Sequence, residues 1–227
     1  MKTPGRGRGP SDKRGIERDI LEGFDGAALK LHSNLSKWFV TLDAAKQALK
    51  PGDPAPEFLL PDSNGRLVSS RELRDDGPLV ISFFCGSWSV GCAAKLGAFQ
   101  AASAEFRALG ATLVAISPDT GGFSRELRRE RQLDLAVLSD VDYGIGLAFG
   151  ILSSLPEEMK SCLLQNGIDL GMRHGTRVWL LPVPSTFIID RHGAVAATYV
   201  EPDLRSGVGL SVILEQLLLM AETPSSG

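Results

Sequence analysis

A strongly apolar run, Pro-Leu-Val-Ile-Ser-Phe-Phe at residues 78–84, constrains the fold more than any other part of this sequence. A run that is apolar on both faces is typical of a central strand covered by helices on either side. A helical pattern from Gly91 to Leu109 follows at once, with its apolar residues on one face. A buried strand that leads directly into a helix predicts an α/β domain with a partly parallel sheet.

Strand and helix patterns continue to alternate after this first unit. They predict strands at residues 112–117 and 135–138 and helices at residues 123–132, 143–149 and 155–166. A hairpin over residues 186–200, with its turn at Arg191–Gly193, then precedes a helix over residues 207–220. We therefore expect a mixed sheet flanked by helices, parallel in its first half through right-handed crossovers and antiparallel in the final hairpin. That arrangement is thioredoxin-like.

Changes in composition divide the chain into segments. The sequence predicts a disordered basic tail at residues 1–15, a helical extension at residues 16–49, a main domain at residues 50–221 and a flexible tail at residues 222–227. In the extension, the apolar periodicity predicts one helix from Ile16 to Leu31 and a second from Leu35 to Leu49. Asn64–Gly65 predicts the turn of a short hairpin near the start of the domain.

Composition and charge argue against several classes of function. A net charge of -3 over 227 residues leaves no concentrated basic surface for nucleic acid. No stretch approaches the ~20 apolar residues that span a bilayer, and no apolar segment typical of a secretion signal follows the basic N-terminus. Three cysteines cannot pair completely, which favours a reducing, cytoplasmic compartment. His32, His174 and His192 have no ligand spacing, so we expect neither a metal nor another cofactor.

Cys92 is the candidate catalytic residue because it lies where the buried strand passes into a helix. The first-turn N–H groups of that helix would favour its thiolate form, and only the thiolate is a nucleophile. Lys95, three residues later, lies on the same helix face and could stabilise the thiolate. Ser89, three residues earlier, is suited to cap the helix or to bind the thiolate. The alternative is that Cys92 is a buried structural thiol.

Several stretches between about residues 50 and 217 resemble one family. They are residues 51–58 (PGDPAPEF), 83–92 (FFCGSWSVGC), 114–118 (VAISP), 137–140 (VLSD), 181–190 (LPVPSTFIID) and 199–203 (YVEPD). They are similar to the peroxiredoxin-like branch of the alkyl hydroperoxide reductase/thiol-specific antioxidant group, which has the thioredoxin fold. The resemblance implies a peroxidase that acts on a hydroperoxide and is reduced by a thioredoxin-like protein or a small thiol. It is also compatible with a homodimer.

The active-site stretch departs from that branch at two positions. The branch carries Cys-x-x-Cys after Trp88, whereas the first position here is Ser89. The branch usually carries Arg at the position of Cys85. Peroxiredoxins proper carry Pro at that position. Ser89-Val-Gly-Cys92 instead fits the pattern of peroxiredoxins proper, in which Thr or Ser is followed by two residues and then by the peroxidatic Cys. The resemblance also implies that Trp88 covers the site and that Pro184 belongs to a loop with a cis-proline that faces the active-site helix.

Two other cysteines are candidates to resolve an oxidised Cys92. Cys85 flanks the same loop as Cys92, although it could equally be a core residue at the strand end. Cys162 lies on an amphipathic helical pattern and is otherwise a packing residue. An external thiol is the third option. Arg177 and Arg205 are candidates to support the thiolate in place of the family's missing Arg, or else are solvated surface residues.

Three functions therefore remain open from the sequence. The first is a thiol peroxidase in which the Cys92 thiolate attacks a hydroperoxide and a second thiol reduces the resulting sulfenic acid. The second is a scaffold or partner-binding protein that has lost its chemistry at Cys85 and Ser89, with Trp38 and Phe39 on its interaction surface. The third is a thiol–disulfide oxidoreductase, against which the missing Cys-x-x-Cys argues.

Overall fold

The computed structural model describes residues 26–204 and 208–222. The predicted basic tail, the first ten residues of the predicted extension (16–25), residues 205–207, which include Arg205, and the last five residues of the chain lie outside these ranges. The α-helices are α1 (Gly26–Thr41), α2 (Ala44–Gln47), α3 (Val90–Ala101), α4 (Ser103–Ala108), α5 (Gly121–Arg131), α6 (Gly144–Ala148), α7 (Glu157–Gln165), α8 (Leu170–His174) and α9 (Leu210–Glu222), with a 3₁₀ helix at Glu72–Arg74. The strands are β1 (Leu59–Pro61), β2 (Leu67–Ser69), β3 (Leu79–Phe83), β4 (Thr112–Ser117), β5 (Ala136–Ser139), β6 (Leu152–Ser154), β7 (Leu180–Pro182), β8 (Ser185–Ile189) and β9 (Val195–Val200).

The central sheet has the strand order β5-β4-β3-β8-β9. Strand β3 pairs in parallel with β4, which pairs in parallel with β5. On its other edge β3 pairs antiparallel with β8, the first strand of the terminal hairpin. The mixed α/β fold, parallel in its first half and closed by an antiparallel hairpin, is therefore confirmed. The predicted hairpin at Asn64–Gly65 also forms, as β1 and β2.

Strand β3 lies at the centre because each of its residues, Leu79 to Phe83, is buried. Successive side chains of a strand point to opposite faces, so β3 contributes to two separate apolar layers. On one face Phe83 packs against Phe149 and Phe187, with ring centroids 5.0 and 5.8 Å away. On the other face Val80 joins the layer that α3 and α1 cover. These two layers fix the strand's end, where the candidate thiols lie.

The helix boundaries differ from the predictions in two places. Helix α1 runs without a break through residues 31–35, where two helices were expected to meet, and it ends at Thr41. The reason is that Leu31, Leu35 and Phe39 repeat every four residues, so one buried stripe continues across the expected break. The single helix predicted over residues 91–109 is interrupted at Ala102, which separates α3 from α4. Helix α8 and the small antiparallel pair β6–β7 were not predicted.

Helix α1 shares the core of the domain that was predicted to begin at residue 50. Leu35 and Phe39 are 1% and 0% exposed and belong to the same apolar layer as Leu96 and Phe99 of α3. The hydroxyl of Ser36 donates to the Asp203 carboxylate at 2.6 Å, which ties α1 to the segment after β9. Helix α1 is thus a structural part of the site's surroundings.

No helix in residues 26–204 or 208–222 is both long and apolar enough to cross a membrane.

We expect Phe39→Ala to lower the free energy of unfolding by about 3–5 kcal/mol, because it leaves a cavity in the layer between α1 and α3. Chemical denaturation measures this change. The matched control is the next residue, Val40, which is 56% exposed; Val40→Ala should change the same free energy by less than about 0.5 kcal/mol. Equal, small effects of both substitutions would contradict the packing of α1 on the domain.

Candidate thiol site

The loop between β3 and α3 brings Cys85 and Cys92 together. Cys85 follows the end of β3, and Cys92 lies in the first turn of α3. Gly86, between them, has φ of +142°, and a Cβ there would lie 2.6 Å from Nε1 of Trp88. Glycine therefore allows the chain to turn sharply beneath the tryptophan. The turn leaves the two sulfur atoms 3.7 Å apart, with Cys85 0% and Cys92 4% exposed.

The two thiols have opposite tendencies to ionise. The hydrogen bond between the Cys85 and Cys92 sulfurs is the largest influence that lowers the pKa of Cys92, to about 7, against the opposing effect of burial. Ser89 and Lys95 lower the Cys92 pKa further. Burial and the nearby Cys92 sulfur raise the pKa of Cys85 well above its ordinary value. At neutral pH the pair therefore favours a thiolate on Cys92 and a protonated Cys85, whose S–H lies within hydrogen-bonding distance of Cys92 Sγ at 3.7 Å and of Pro182 O at 3.9 Å.

Ser89 occupies the N-cap position of α3 with extended backbone, but its side chain makes no capping hydrogen bond. Ser89 is therefore the N-cap residue, as predicted, but without the side-chain hydrogen bond of a typical cap. The hydroxyl is buried and has no hydrogen-bond partner of good geometry among the described residues. It nevertheless lies near enough to Cys92 to help lower the pKa of the thiol. Of the two roles predicted for Ser89, the structure favours the one beside the thiol.

Lys95 faces the site but divides its charge between partners. Its ammonium group forms an ion pair with the largely buried Glu201 and donates to the Thr186 hydroxyl at 2.9 Å. Among the influences that lower the Cys92 pKa, the charge of Lys95 is the smallest. Support of the thiolate by Lys95 stays a prediction, and the Glu201 carboxylate weakens any such support because it cancels much of the field of the ammonium group.

Cys162 and Pro184, two further residues predicted for the site, make contacts with other parts of the fold. Cys162, half-buried on α7, lies 3.9 Å from the side-chain amide of Asn34 on α1. Pro184 is buried between β7 and β8, and its carbonyl accepts from Glu201 N at 2.8 Å. All peptide bonds in the described residues are trans, so the expectation of a cis-proline here is wrong. Val183, the residue before Pro184, donates its N–H to Ile151 O at 2.8 Å.

Trp88 borders a pocket beside the first turn of α3. Its partly exposed ring lies over Gly86, with a buried Nε1 that has no hydrogen-bond partner in the described part of the chain. The pocket has a volume of about 290 Å³ and lies between this turn and α1. Its lining residues are Ala27, Ala28, Leu31, His32, Leu35, Trp88, Ser89, Val90, Asn166 and Ile168. The position of Trp88 agrees with a cover over the site.

A buried polar cluster below the loop was not predicted. Asp119, directly after β4 and 0% exposed, accepts from Ser87 N at 2.6 Å through Oδ2. Arg173 of α8 donates to the Ser87 hydroxyl at 3.0 Å and lies 3.8 Å from Oδ1 of Asp119. His174 Nε2 lies 3.9 Å from the same oxygen. We call these four residues the Asp119 cluster. Arg177, one of the two arginines considered as support for the thiolate, is exposed, which agrees with the alternative that it is a solvated surface residue.

Burial sets the ionisation of this cluster. It raises the pKa of Asp119, while the Ser87 N–H and the Arg173 charge oppose that rise. It lowers the pKa of His174 to about 4, so the imidazole is neutral at pH 7. Asp119 could have been found in the sequence, since the carboxyl ends of parallel neighbouring strands lie at one edge of a sheet. Arg173 and His174 lie on a helix that the periodicity did not indicate.

No group of three or more potential metal ligands occurs among the His, Cys, Asp and Glu residues of the described ranges.

Comparison with known proteins decides the family. Residues 51–198 match the model of the AhpC/TSA family. The chain belongs to the AhpC/TSA family. The matched range contains both thiols and Asp119, whereas α1 lies before it.

Curated relatives of this AhpC/TSA chain include peroxiredoxins of plants and bacteria. A putative chloroplastic peroxiredoxin Q of Oryza sativa is 26% identical over 165 residues, which cover 71% of this chain and 65% of the relative. The chain thus spans about two thirds of that relative's length. A putative peroxiredoxin of Mycobacterium tuberculosis is 32% identical over 147 residues, which cover 65% of this chain and 82% of the relative.

Solved structures share the fold of this AhpC/TSA chain. Peroxidoxin BcpB of Mycobacterium tuberculosis superposes with a TM-score of 0.61 at 24% identity, covering 76% of this chain and 98% of that one. A mutant PrxQ of Xylella fastidiosa superposes with a TM-score of 0.62 at 15% identity, covering 77% and 98%. These similarities confirm the thioredoxin-like fold.

We expect the alkylation rate of Cys92 by iodoacetamide to rise with pH through a midpoint near 7, the pKa of the folded thiol. The sign follows from the lowered pKa: between pH 7 and about 8.5 the folded thiol is ionised while an unfolded one is still protonated. Mass spectrometry of the Cys92 peptide gives the rate, and the same peptide in denatured protein is the control. A folded midpoint at or above the denatured one would contradict this interpretation.

We expect Glu201→Gln to move that midpoint to lower pH by a few tenths of a pH unit, because the charge of Lys95 then acts on Cys92 without its counter-ion. Lys95→Met should move it in the opposite direction. Glu215→Gln, which changes an exposed carboxylate on α9, is the matched control and should leave the midpoint in place. Identical midpoints in all three variants would show that the ion pair does not act on the thiol.

Proposed function

We propose that this protein is a thiol peroxidase in which Cys92 attacks a hydroperoxide and Cys85 resolves the oxidised cysteine. The observation that carries the proposal is the 3.7 Å separation of the two sulfurs at the N-terminus of α3. Membership of the AhpC/TSA family and similarity to peroxiredoxins support the same chemistry.

In the first step the Cys92 thiolate attacks the distal oxygen of the hydroperoxide. A sulfur–oxygen bond forms as the oxygen–oxygen bond breaks, and the departing alkoxide or hydroxide takes up a proton. Cys92 is oxidised to a sulfenic acid while the peroxide is reduced to an alcohol or water. The Ser89 hydroxyl and the free N–H groups in the first turn of α3 are suited to polarise the peroxide.

Access to the nearly buried Cys92 is proposed to run through the 290 Å³ pocket beside α1. Ser89 and Val90 line this pocket one turn before Cys92, and Leu31 and Leu35 supply its opposite, apolar wall. A small hydroperoxide fits such a volume. The helical extension would then form part of the entry to the site.

In the second step the Cys85 sulfur attacks the Cys92 sulfenic acid, a disulfide forms, and water leaves. Disulfide sulfurs are about 2.05 Å apart, so closure from 3.7 Å requires only a small movement of the loop. Cys162 is the weaker candidate because it lies on α7 against Asn34. A small thiol or a thioredoxin-like protein would reduce the disulfide and complete the cycle.

Two observations speak against the alternative of a non-catalytic scaffold. The lowered pKa of Cys92 and the paired thiol at Cys85 have no role in a purely structural core. Phe39, expected on an interaction surface, is 0% exposed and packs inside the domain.

The test is a substoichiometric peroxide pulse followed by trapping and mass-spectrometric mapping of each cysteine. We expect a Cys85–Cys92 disulfide in the wild type and a Cys92 sulfenic acid that persists in Cys85→Ser. Cys92→Ser should abolish peroxide consumption, whereas Cys162→Ser, the matched control, should behave as the wild type does. Slow and equal oxidation of all three cysteines would refute the proposal.

A further inference from the structure

We propose that the Asp119 carboxylate receives the proton of Cys85 when the Cys85 sulfur attacks Cys92. The inference builds on the proposed function, because it concerns the second step of that reaction. It assigns a role in proton transfer to a buried acid that holds the loop through Ser87 N and takes no part in the peroxide step.

The topology of the sheet brings Asp119 to the loop between the thiols. Strands β3 and β4 are parallel, with Phe83 opposite Ile116, so Cys85 and Asp119 emerge two and three residues later at the same edge. One carboxylate oxygen accepts from Ser87 N at 2.6 Å. The other lies 3.1 Å from the point where a Cβ on Gly86 would be. The carboxylate therefore lies against the residue that follows Cys85.

The second oxygen, Oδ1, is buried and has no hydrogen-bond partner among the described residues. Its neighbour His174 Nε2, 3.9 Å away, is likewise buried and without a hydrogen-bond partner in that part of the chain. The Tyr143 hydroxyl donates to Val178 O at 3.1 Å, so it accepts from His174 Nδ1 at 2.9 Å and leaves Nε2 as an acceptor.

Two buried acceptors that face each other repel unless a hydrogen lies between them. The separation of 3.9 Å is too long for a direct hydrogen bond but suits one bridging water molecule. A proton that arrives at Asp119 would relieve this repulsion. Burial and this repulsion favour proton uptake by Asp119, and the Arg173 guanidinium 3.8 Å from Oδ1 opposes it, so the acid is suited to take up a proton and to return it at the edge of the sheet where Cys85 must lose one.

Cys85 needs such an acceptor because burial raises the pKa of its thiol, and a thiol is a poor nucleophile. As the Cys85 sulfur–hydrogen bond breaks, the proton passes to Asp119 and the sulfur bonds to Cys92. The Cys92 sulfur–oxygen bond breaks, and the departing hydroxide takes the proton back from Asp119 and leaves as water. The thiol sulfur is oxidised and the sulfenic sulfur is reduced, so electrons and protons balance.

Asp119→Asn tests the role because the amide oxygen still accepts from Ser87 N while the side chain cannot take up a proton. Rapid-quench kinetics would follow the Cys92 sulfenic acid and the Cys85–Cys92 disulfide separately. We expect disulfide formation to slow by about 100-fold or more, the usual contribution of a positioned base. Sulfenic acid formation should change far less. Asp134→Asn, at an exposed aspartate, is the matched control.

A second substrate separates this inference from the peroxidase proposal. Dithiobis(nitrobenzoate) forms a mixed disulfide with Cys92, and attack by Cys85 then releases a second, coloured thiolate without any peroxide. Slow release in Asp119→Asn supports the role of Asp119, even if the wild type forms no sulfenic acid and the peroxidase proposal fails. Release at the wild-type rate overturns the role of Asp119, whatever the peroxide experiment gives.

Arg173→Gln keeps the inference testable if Asp119→Asn does not fold. The ionisable groups that interact electrostatically with Asp119 are Cys85 after β3 and Arg173 and His174 on α8. Loss of the Arg173 charge raises the pKa of Asp119, since that charge favours the carboxylate. The pH midpoint of the second release should therefore rise. An unchanged midpoint would contradict proton uptake by Asp119.

Discussion

Burial of β3 on both faces, together with hydrogen bonding along both of its edges, fixes the point from which the site is built. Its side chains divide between two apolar layers, and its partners are β4 on one edge and β8 on the other. A strand held in this way cannot shift its register without moving buried side chains to the wrong face. The end of β3 is therefore a rigid anchor for Cys85, while α3 holds Cys92 at a fixed distance across the loop.

The two thiols are chemically different because their surroundings are different. Cys92 lies at the start of a helix, next to a hydroxyl and an ammonium group, and accepts a hydrogen bond from its partner. Cys85 lies deeper, at the end of a strand, where burial keeps it protonated. Cys92 is thus suited to attack a peroxide first, and Cys85 to react afterwards with the oxidised Cys92. Such an asymmetry separates a redox pair from two cysteines that merely pack together.

The surroundings of the site combine α1, which lies before the matched family region, with the Asp119 cluster, which lies inside it. Helix α1 forms a wall of the pocket and packs into the layer beneath α3. On the opposite side of the loop, the Asp119 cluster holds Ser87 through both its backbone and its hydroxyl. The loop between the thiols is therefore bounded by an apolar surface on one side and a buried polar network on the other. This difference underlies the two proposals that the apolar side admits the peroxide and that the polar side takes up a proton.

The sequence by itself determined the order of the main strands and helices, because strong apolar periodicity survives in a single chain without any knowledge of contacts. It also determined Cys92 and Ser89 as candidates, since a thiol at a strand-to-helix junction is a local feature. Tertiary structure alone decided that the Cys85 sulfur lies 3.7 Å from that of Cys92. It alone decided that Glu201 forms an ion pair with Lys95, and that Asp119, Arg173 and His174 meet below the loop. It also decided that α1 continues past residue 31 and that Pro184 follows a trans peptide bond. These features depend on residues up to about 100 positions apart in the chain, and only the packing of the sheet brings such residues within a few ångströms.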